Sequence, residues 1–423
     1  MQNLIKNIAS LSLFQVLHYL IPLIVLPYVI RVLGPEKYGL VNIAQSLAWY
    51  FVLFVAYGFE ISASRKIALV QQYPQQLQQL FQQYFYSKVV LLGIAAFVYF
   101  VIITAVAPFR SQWLLYSIFF LMIAGYALFP NWFYLGIQKY QRLITIYTLV
   151  RALSIVGIFL LVKSPAHYEG YAWLLCGSQL LAGIISLWMA IRQFKLTLQW
   201  PGLSCIRSIL FEAYPTFIIT VIGGIMSSTF ILILGLVATD AETGYFAAGV
   251  RIVQAAIGVS LIPISQIFLP KIALHFNQSY PKGVQSLRQS VIIFSVVGIM
   301  VGLIQFLLAP LICYWVLGSQ FNASIGVLRV LALIPVLNGL NNTLGNHGML
   351  NLGLSKQYMA AYIISLLLGT VISIPLCRYY AHVGAAWGYV LAELITLIAL
   401  LIYLVRKRQD ILPWKPLPQI TKA

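Results

Sequence analysis

The sequence predicts an all-α polytopic membrane protein of about twelve transmembrane helices, arranged as two six-helix lobes related as parallel repeats around a central cavity. Hydrophobic residues make up 61% of the 423 residues and charged residues only 8%, against roughly 25% charged in soluble domains. Apolar runs of about 18 residues or more recur from end to end, each long enough to cross a hydrocarbon core about 30 Å thick. Short similar motifs return after six of these runs. A disordered chain would be polar and charge-rich, so composition excludes that class as well.

The runs place helices at 8–30, 38–59, 84–107, 113–135, 143–163, 171–191, 212–238, 245–269, 290–316, 325–350, 358–377 and 383–405. The first run, Ile8 to Val29, is longer than a signal-peptide apolar region of about 7–15 residues and lacks a small-residue cleavage site, so a retained helix is expected. Cys176, Cys205, Cys313 and Cys377 are scattered without ligand spacing, which signals neither a metal site nor a disulfide framework. The formal charge of +18 is explained by where the cations sit. With a cytoplasmic N-terminus, 18 of the 26 Lys and Arg residues fall on the cytoplasmic side, 5 on the opposite side, and 3 within spans. That asymmetry follows the positive-inside rule, puts both termini in the cytoplasm and argues against a nucleic-acid partner.

Connections supply the organisation. The longest one near the middle runs from Arg192 to Arg207 through Trp200-Pro201-Gly202. It sets the expected boundary between a lobe at 1–200 and a lobe at 201–423, the second ending in a short basic cytoplasmic tail. The glutamine-rich segment Gln71 to Phe85 carries Leu77, Leu80, Phe81 and Tyr84 at helical spacing and is expected to lie along the membrane interface. The repeat rests on two similarities. Gly39-Leu40-Val41-Asn42-Ile43-Ala44 resembles Gly244-Tyr245-Phe246-Ala247-Ala248-Gly249, and Leu135-Gly136-Ile137-Gln138-Lys139-Tyr140 resembles Leu352-Gly353-Leu354-Ser355-Lys356-Gln357-Tyr358. Both offsets span six helices, an even number, so the repeats are parallel; such lobes commonly enclose a central site.

Polar residues form helical stripes inside otherwise apolar spans. Asn338, Asn341, Asn342 and Asn346 line one face of the tenth span, and Asn42 and Gln45 one face of the second. Gln15 and His18 share a side of the first, and Thr220, Gly223, Gly224 and Ser227 a side of the seventh. Each stripe alone is explained by helix–helix hydrogen bonding, and His18 by packing. Four stripes spread over both lobes favour a hydrated interior.

Charges within the spans point more sharply. A charge at the bilayer centre costs at least about 2.5–3.5 kcal/mol and marks a functional position by default. Arg151, Arg251 and Arg329 fall within spans, although Arg329 lies near a span end and could snorkel to the interface. Glu393 is the sole carboxylate placed mid-span. Three arginines to one glutamate suggest a cavity for an anion, since the guanidinium fork matches phosphate geometry. A pairing of one arginine with Glu393 is the structural alternative. Glu393 itself is a candidate coupling or gating group, because a lone buried carboxylate can take up and release a proton.

Three motifs then carry a resemblance. Leu26-Pro27-Tyr28-Val29-Ile30-Arg31-Val32-Leu33-Gly34-Pro35-Glu36-Lys37-Tyr38-Gly39, Gly58-Phe59-Glu60-Ile61-Ser62-Ala63-Ser64-Arg65-Lys66-Ile67-Ala68 and Pro130-Asn131-Trp132-Phe133-Tyr134-Leu135-Gly136-Ile137-Gln138 resemble the Wzx-type polysaccharide flippases. These belong to the MATE-like multidrug/oligosaccharidyl-lipid/polysaccharide superfamily. The resemblance implies translocation of undecaprenyl-diphosphate-linked oligosaccharide units from the cytoplasmic to the periplasmic leaflet of the bacterial inner membrane, for O-antigen, capsule or exopolysaccharide. It adds Arg31 and Arg65 as candidate substrate contacts. It also implies the polysaccharide polymerase and chain-length machinery as candidate partners, and leaves the coupling ion open among H⁺, Na⁺ and none.

No phosphate-binding loop of the G-x-x-x-x-G-K-[ST] type, catalytic triad or metal constellation occurs, so neither an enzyme nor a cofactor is expected. A lipid II flippase differs from this reading only in substrate. A MATE-type drug/cation antiporter would need carboxylates for a cationic drug, and a membrane glycosyltransferase or polymerase would need acidic catalytic residues and a large extramembrane loop.

Overall fold

Hydrocarbon offers backbone amides no hydrogen-bonding partner, so a chain this apolar must satisfy them within each span, which helices do. The computed structural model describes the backbone over residues 2–407 and the side chains over residues 24–406, and every regular element among them is helical. Gln15 and His18 lie outside the residues whose side chains are described, as do the tail cations Arg408, Lys415 and Lys422. Among the described residues ten helices are long and apolar enough to cross a membrane. The chain is a multi-pass membrane protein.

Two expected connections are single-residue kinks. Helix α1 (Gln2–Ala56) holds Gly34 at φ 70°, and helix α13 (Ser355–Lys407) holds Ala381 at φ 46°. The first kink suits glycine, which has no Cβ to clash at positive φ. Elsewhere an expected single span is broken. The run at 113–135 forms α4 (Trp113–Leu128) and α5 (Asn131–Gly136), with Pro130 between them and the preceding Phe129 extended, as a residue before proline prefers. The run at 325–350 forms α11 (Ser324–Leu331), α12 (Ile334–Asn341) and a π-helix over Asn342–Met349.

The chain divides into two compact units at Ser228, inside helix α8 (Leu203–Val237), rather than at the connection near residue 200. Unit 1 comprises residues 1–14 and Val32–Ser228. It contains α2 (Phe59–Val70), α3 (Pro74–Ala105), α4, α5, α6 (Tyr140–Leu161) and α7 (Tyr168–Phe194). Helices α4 and α7 approach most closely at two glycines: a Cβ on Gly125 would meet the Gln179 carbonyl carbon at 2.7 Å, and Gly183 faces the Gly125 carbonyl. Small residues permit such backbone contact in a membrane, where no hydrophobic force drives helices together. The glutamine-rich segment is not a separate interfacial helix. Pro74 opens α3, its absent N–H costing nothing in a first turn. Leu77, Phe81 and Tyr84 are buried, with Phe81 ring to ring against Trp132 and Phe133. The apolar stripe packs on protein rather than on lipid.

Unit 2 joins residues 15–31 to the chain from Thr229 onward. Helix α9 (Asp240–Gln278) opens with Thr239, whose hydroxyl accepts from the Glu242 backbone N–H. At 39 residues it is about 58 Å long at the standard rise, so it projects beyond a bilayer core of about 30 Å. It packs with α10 (Tyr280–Ile312) and α13 around Ile272, Val284, Leu287, Met349 and Leu400.

Candidate functional site

In unit 1 the candidate cation is Arg151, on α6. Its guanidinium donates to the Tyr147 hydroxyl at 3.3 Å, to Ser178 Oγ at 3.2 Å and to Gln179 Oε1 at 2.8 Å, the last two on α7. The Tyr147 ring lies under it at 5.3 Å. Every partner is neutral, so the side chain is held in place while its positive charge stays uncompensated by a carboxylate. Gln179 is fully buried and its Nε2 has no partner. Nearby, half-buried Tyr126 meets Trp49 edge-on at 5.6 Å, and the Trp49 indole donates to the Gly224 carbonyl at 3.1 Å. A second cation joins the same strand of structure. Lys88 is 4% exposed, and its ammonium donates to the Tyr126 and Phe129 carbonyls, capping the open end of α4. The cap depends on where α4 stops, which spacing along the chain does not encode.

The polar stripe of the second span divides. Asn42 is buried and spends its amide on the Tyr38 carbonyl of its own helix, whereas Gln45 is half-buried. Arg65 is exposed on α2. Its neighbours form the lock that the motifs encode: Asn131, opening α5, donates to the Glu60 carboxylate, and Lys66 pairs with Glu212 at 2.5 Å. Gly58, at φ 67°, brings α2 against the backbone of Thr216 and Phe217.

In unit 2 the structure gathers the tenth-span stripe around one carboxylate. Glu393 is 3% exposed. Asn341 donates to its Oε2 at 2.7 Å, and Asn338 also bonds to the carboxylate. The Glu393 carboxylate partners given among the described residues are these two asparagines, not an arginine. One turn on, Asn346 donates to Asn342 Oδ1, Asn342 donates to Ser265 Oγ, and Ser265 shares a 2.8 Å hydrogen bond with His347 Nε2. His347 is fully buried with Nδ1 unpartnered. Sequence reasoning passed over His347 and Ser265; only the π-helix, which rotates 342–349 relative to an α-helical register, brings them into the asparagine ladder.

Arg251 is half-buried on α9. Arg31 and Arg329 do not join these groups. Arg31 donates to the Trp315 carbonyl and packs on Gly318. Arg329 is exposed, its guanidinium 5.6 Å from the Phe306 ring. Among the described residues no three His, Cys, Asp or Glu side chains converge to hold a metal.

Over residues 4–276 the chain matches the family described as polysaccharide biosynthesis protein. The chain belongs to that family. The matched stretch contains all three motifs, including the Glu60–Asn131 contact that ties two of them together. Two relatives carry the name "Putative O-antigen transporter". One, from Escherichia coli strain K12, is 26% identical over 95% of this chain and 96% of its own length. The other, from Shigella dysenteriae, is 25% identical over 95% and 99%. Among solved structures, the chain is similar to an inward-facing multidrug resistance MATE family transporter of the MOP superfamily, with TM-score 0.70, 15% identity and coverage of 92% and 94%. The lipid II flippase MurJ in an inward closed conformation matches with TM-score 0.70, 14% identity and coverage of 96% and 90%. At those identities the two structures establish the fold of this polysaccharide biosynthesis protein.

Proposed function

We propose that this protein is a flippase that carries undecaprenyl-diphosphate-linked oligosaccharide units from the cytoplasmic to the periplasmic leaflet of the inner membrane, for O-antigen, capsule or exopolysaccharide. The observation that carries the reading is Arg151: an intramembrane guanidinium whose partners among the described residues are neutral, in electrostatic reach of Tyr126, which in turn meets Trp49. A fixed, unneutralised guanidinium suits a diphosphate, and aromatic rings suit the apolar faces of sugars. Family membership and the relatives named as O-antigen transporters support it.

On this reading Arg151 and Arg251 supply positive charge for the diphosphate, while Gln45, Asn338, Asn342 and Asn346 offer hydrogen bonds to hydroxyls. Arg31 and Arg65, the arginines of the first two motifs, are further candidate substrate contacts. Glu393 is the coupling carboxylate, served by H⁺ or Na⁺. The kinks at Gly34 and Ala381 divide the long helices into twelve spans, with both termini cytoplasmic. The polysaccharide polymerase and chain-length machinery are its expected partners. A drug/cation antiporter is disfavoured because Glu393 is the one buried carboxylate among the described residues.

Deleting the gene in its host tests the function. Lipid-linked repeat units should build up on the cytoplasmic leaflet. Normal polysaccharide export with no build-up would refute it.

A further inference from the structure

Arg329 is the charged end of an otherwise apolar groove on the surface of unit 2. The groove has a volume of about 430 Å³. One wall is Ile299, Leu303 and Phe306, which follow each other at turns of α10; the other includes Leu333 and Trp387. Its floor is set by Gly302, where any side chain would strike the Ala332 carbonyl at the break between α11 and α12. Ile299, Leu303, Phe306, Leu333 and Trp387 are 43–57% exposed. These residues belong to membrane-crossing helices, so the groove opens to lipid chains. The guanidinium has the Phe306 ring as its recorded partner and no carboxylate among the ion pairs of the described residues.

We infer that this groove binds one acyl chain of an anionic phospholipid whose phosphate pairs with Arg329. The occupant follows from charge complementarity: a lone guanidinium facing hydrocarbon gains most from a phosphate, which it can meet through two parallel N–H···O bonds. A groove walled by single helix faces admits one chain lengthwise. The site is separate from the polar ladder around Glu393 and does not depend on what the protein transports.

Trp387 reports on occupancy. The full-length protein is reconstituted in vesicles with dibromo-acyl phosphatidylglycerol or dibromo-acyl phosphatidylcholine, and the groove signal is the fluorescence lost in Trp387→Phe. Phosphatidylglycerol should quench that signal several-fold more effectively than phosphatidylcholine. Arg329→Ala should make the two lipids equal, and Arg329→Lys should retain part of the difference. Equal quenching of that signal by both lipids overturns the proposal. So does a preference that survives Arg329→Ala. Displacement of phosphatidylglycerol by an equimolar polyprenyl phosphate would also overturn it, by assigning the groove to a prenyl chain.

Discussion

Asn341 donates its side-chain amide both to the Glu393 carboxylate, at 2.7 Å, and to the Glu393 backbone carbonyl, at 2.9 Å. One residue of α12 thereby fixes both the side chain and the backbone of a buried residue on α13. Asn341→Ala leaves the carboxylate with less of its hydrogen bonding, and an unsatisfied buried polar group costs about 1–3 kcal/mol. Thermal melts in detergent should show a lower Tm for Asn341→Ala, and adding Glu393→Gln should recover much of it, because a neutral amide tolerates burial better. An unchanged Tm in Asn341→Ala would remove this contact from the stability of unit 2.

Glu393→Gln alone separates coupling from packing. Gln can still accept from Asn341, so the variant should fold and bind substrate. Transport in proteoliposomes should lose its dependence on an imposed ion gradient. Gradient dependence equal to that of the unsubstituted protein would take Glu393 out of the mechanism.

Arg151→Ala should abolish polysaccharide export while leaving the protein in the membrane at normal amounts. Arg151→Lys should keep part of the export, since an ammonium supplies the charge but cannot span Ser178 and Gln179 as the fork does. Normal export by Arg151→Ala would contradict the diphosphate role; disappearance of both variants from the membrane would make the arginine structural.

Gly58 supports a sharper structural forecast. A Cβ there would lie 2.6 Å from the Thr216 carbonyl carbon, at φ 67°. Gly58→Ala should therefore destabilise unit 1 by more than about 1 kcal/mol, seen as a lower melting temperature in fluorescence-detected size exclusion. Gly93→Ala, with nothing within 4 Å of the added carbon, is the matched control and should melt normally.

Topology is checked by reporter fusions. Those after Thr239 and Gln320 should report the periplasm, and one after Lys282 the cytoplasm. A periplasmic report at Lys282 would break the proposed orientation.

Membrane class, the helical runs and the position of both kinks were legible because apolar length and charge placement depend on local composition. The tenth-span asparagines were legible as a stripe, and the structure does gather Asn338 and Asn341 on Glu393. What sequence could not supply was register and partner. Arg31 and Arg151 look alike as intramembrane or juxtamembrane cations, yet one binds a backbone carbonyl at Trp315 and the other is cradled by α7. His347 joins Ser265 only because 342–349 winds as a π-helix, and Lys88 is buried only because α4 ends where Pro130 forces it to. Those outcomes depend on contacts between elements distant in the chain, which spacing within one element does not encode.

The central claim is transbilayer movement of a lipid-linked oligosaccharide, and vesicles test it directly. Fluorescently labelled polyprenyl-diphosphate-linked oligosaccharide is placed in both leaflets of liposomes with and without the purified protein, and a membrane-impermeant quencher is added outside. Protein-free liposomes should lose only the outer leaflet's signal; those with the protein should lose nearly all of it, and those with Arg151→Ala should resemble the protein-free case. Equal quenching with and without the folded protein, across imposed H⁺ and Na⁺ gradients, would contradict the account.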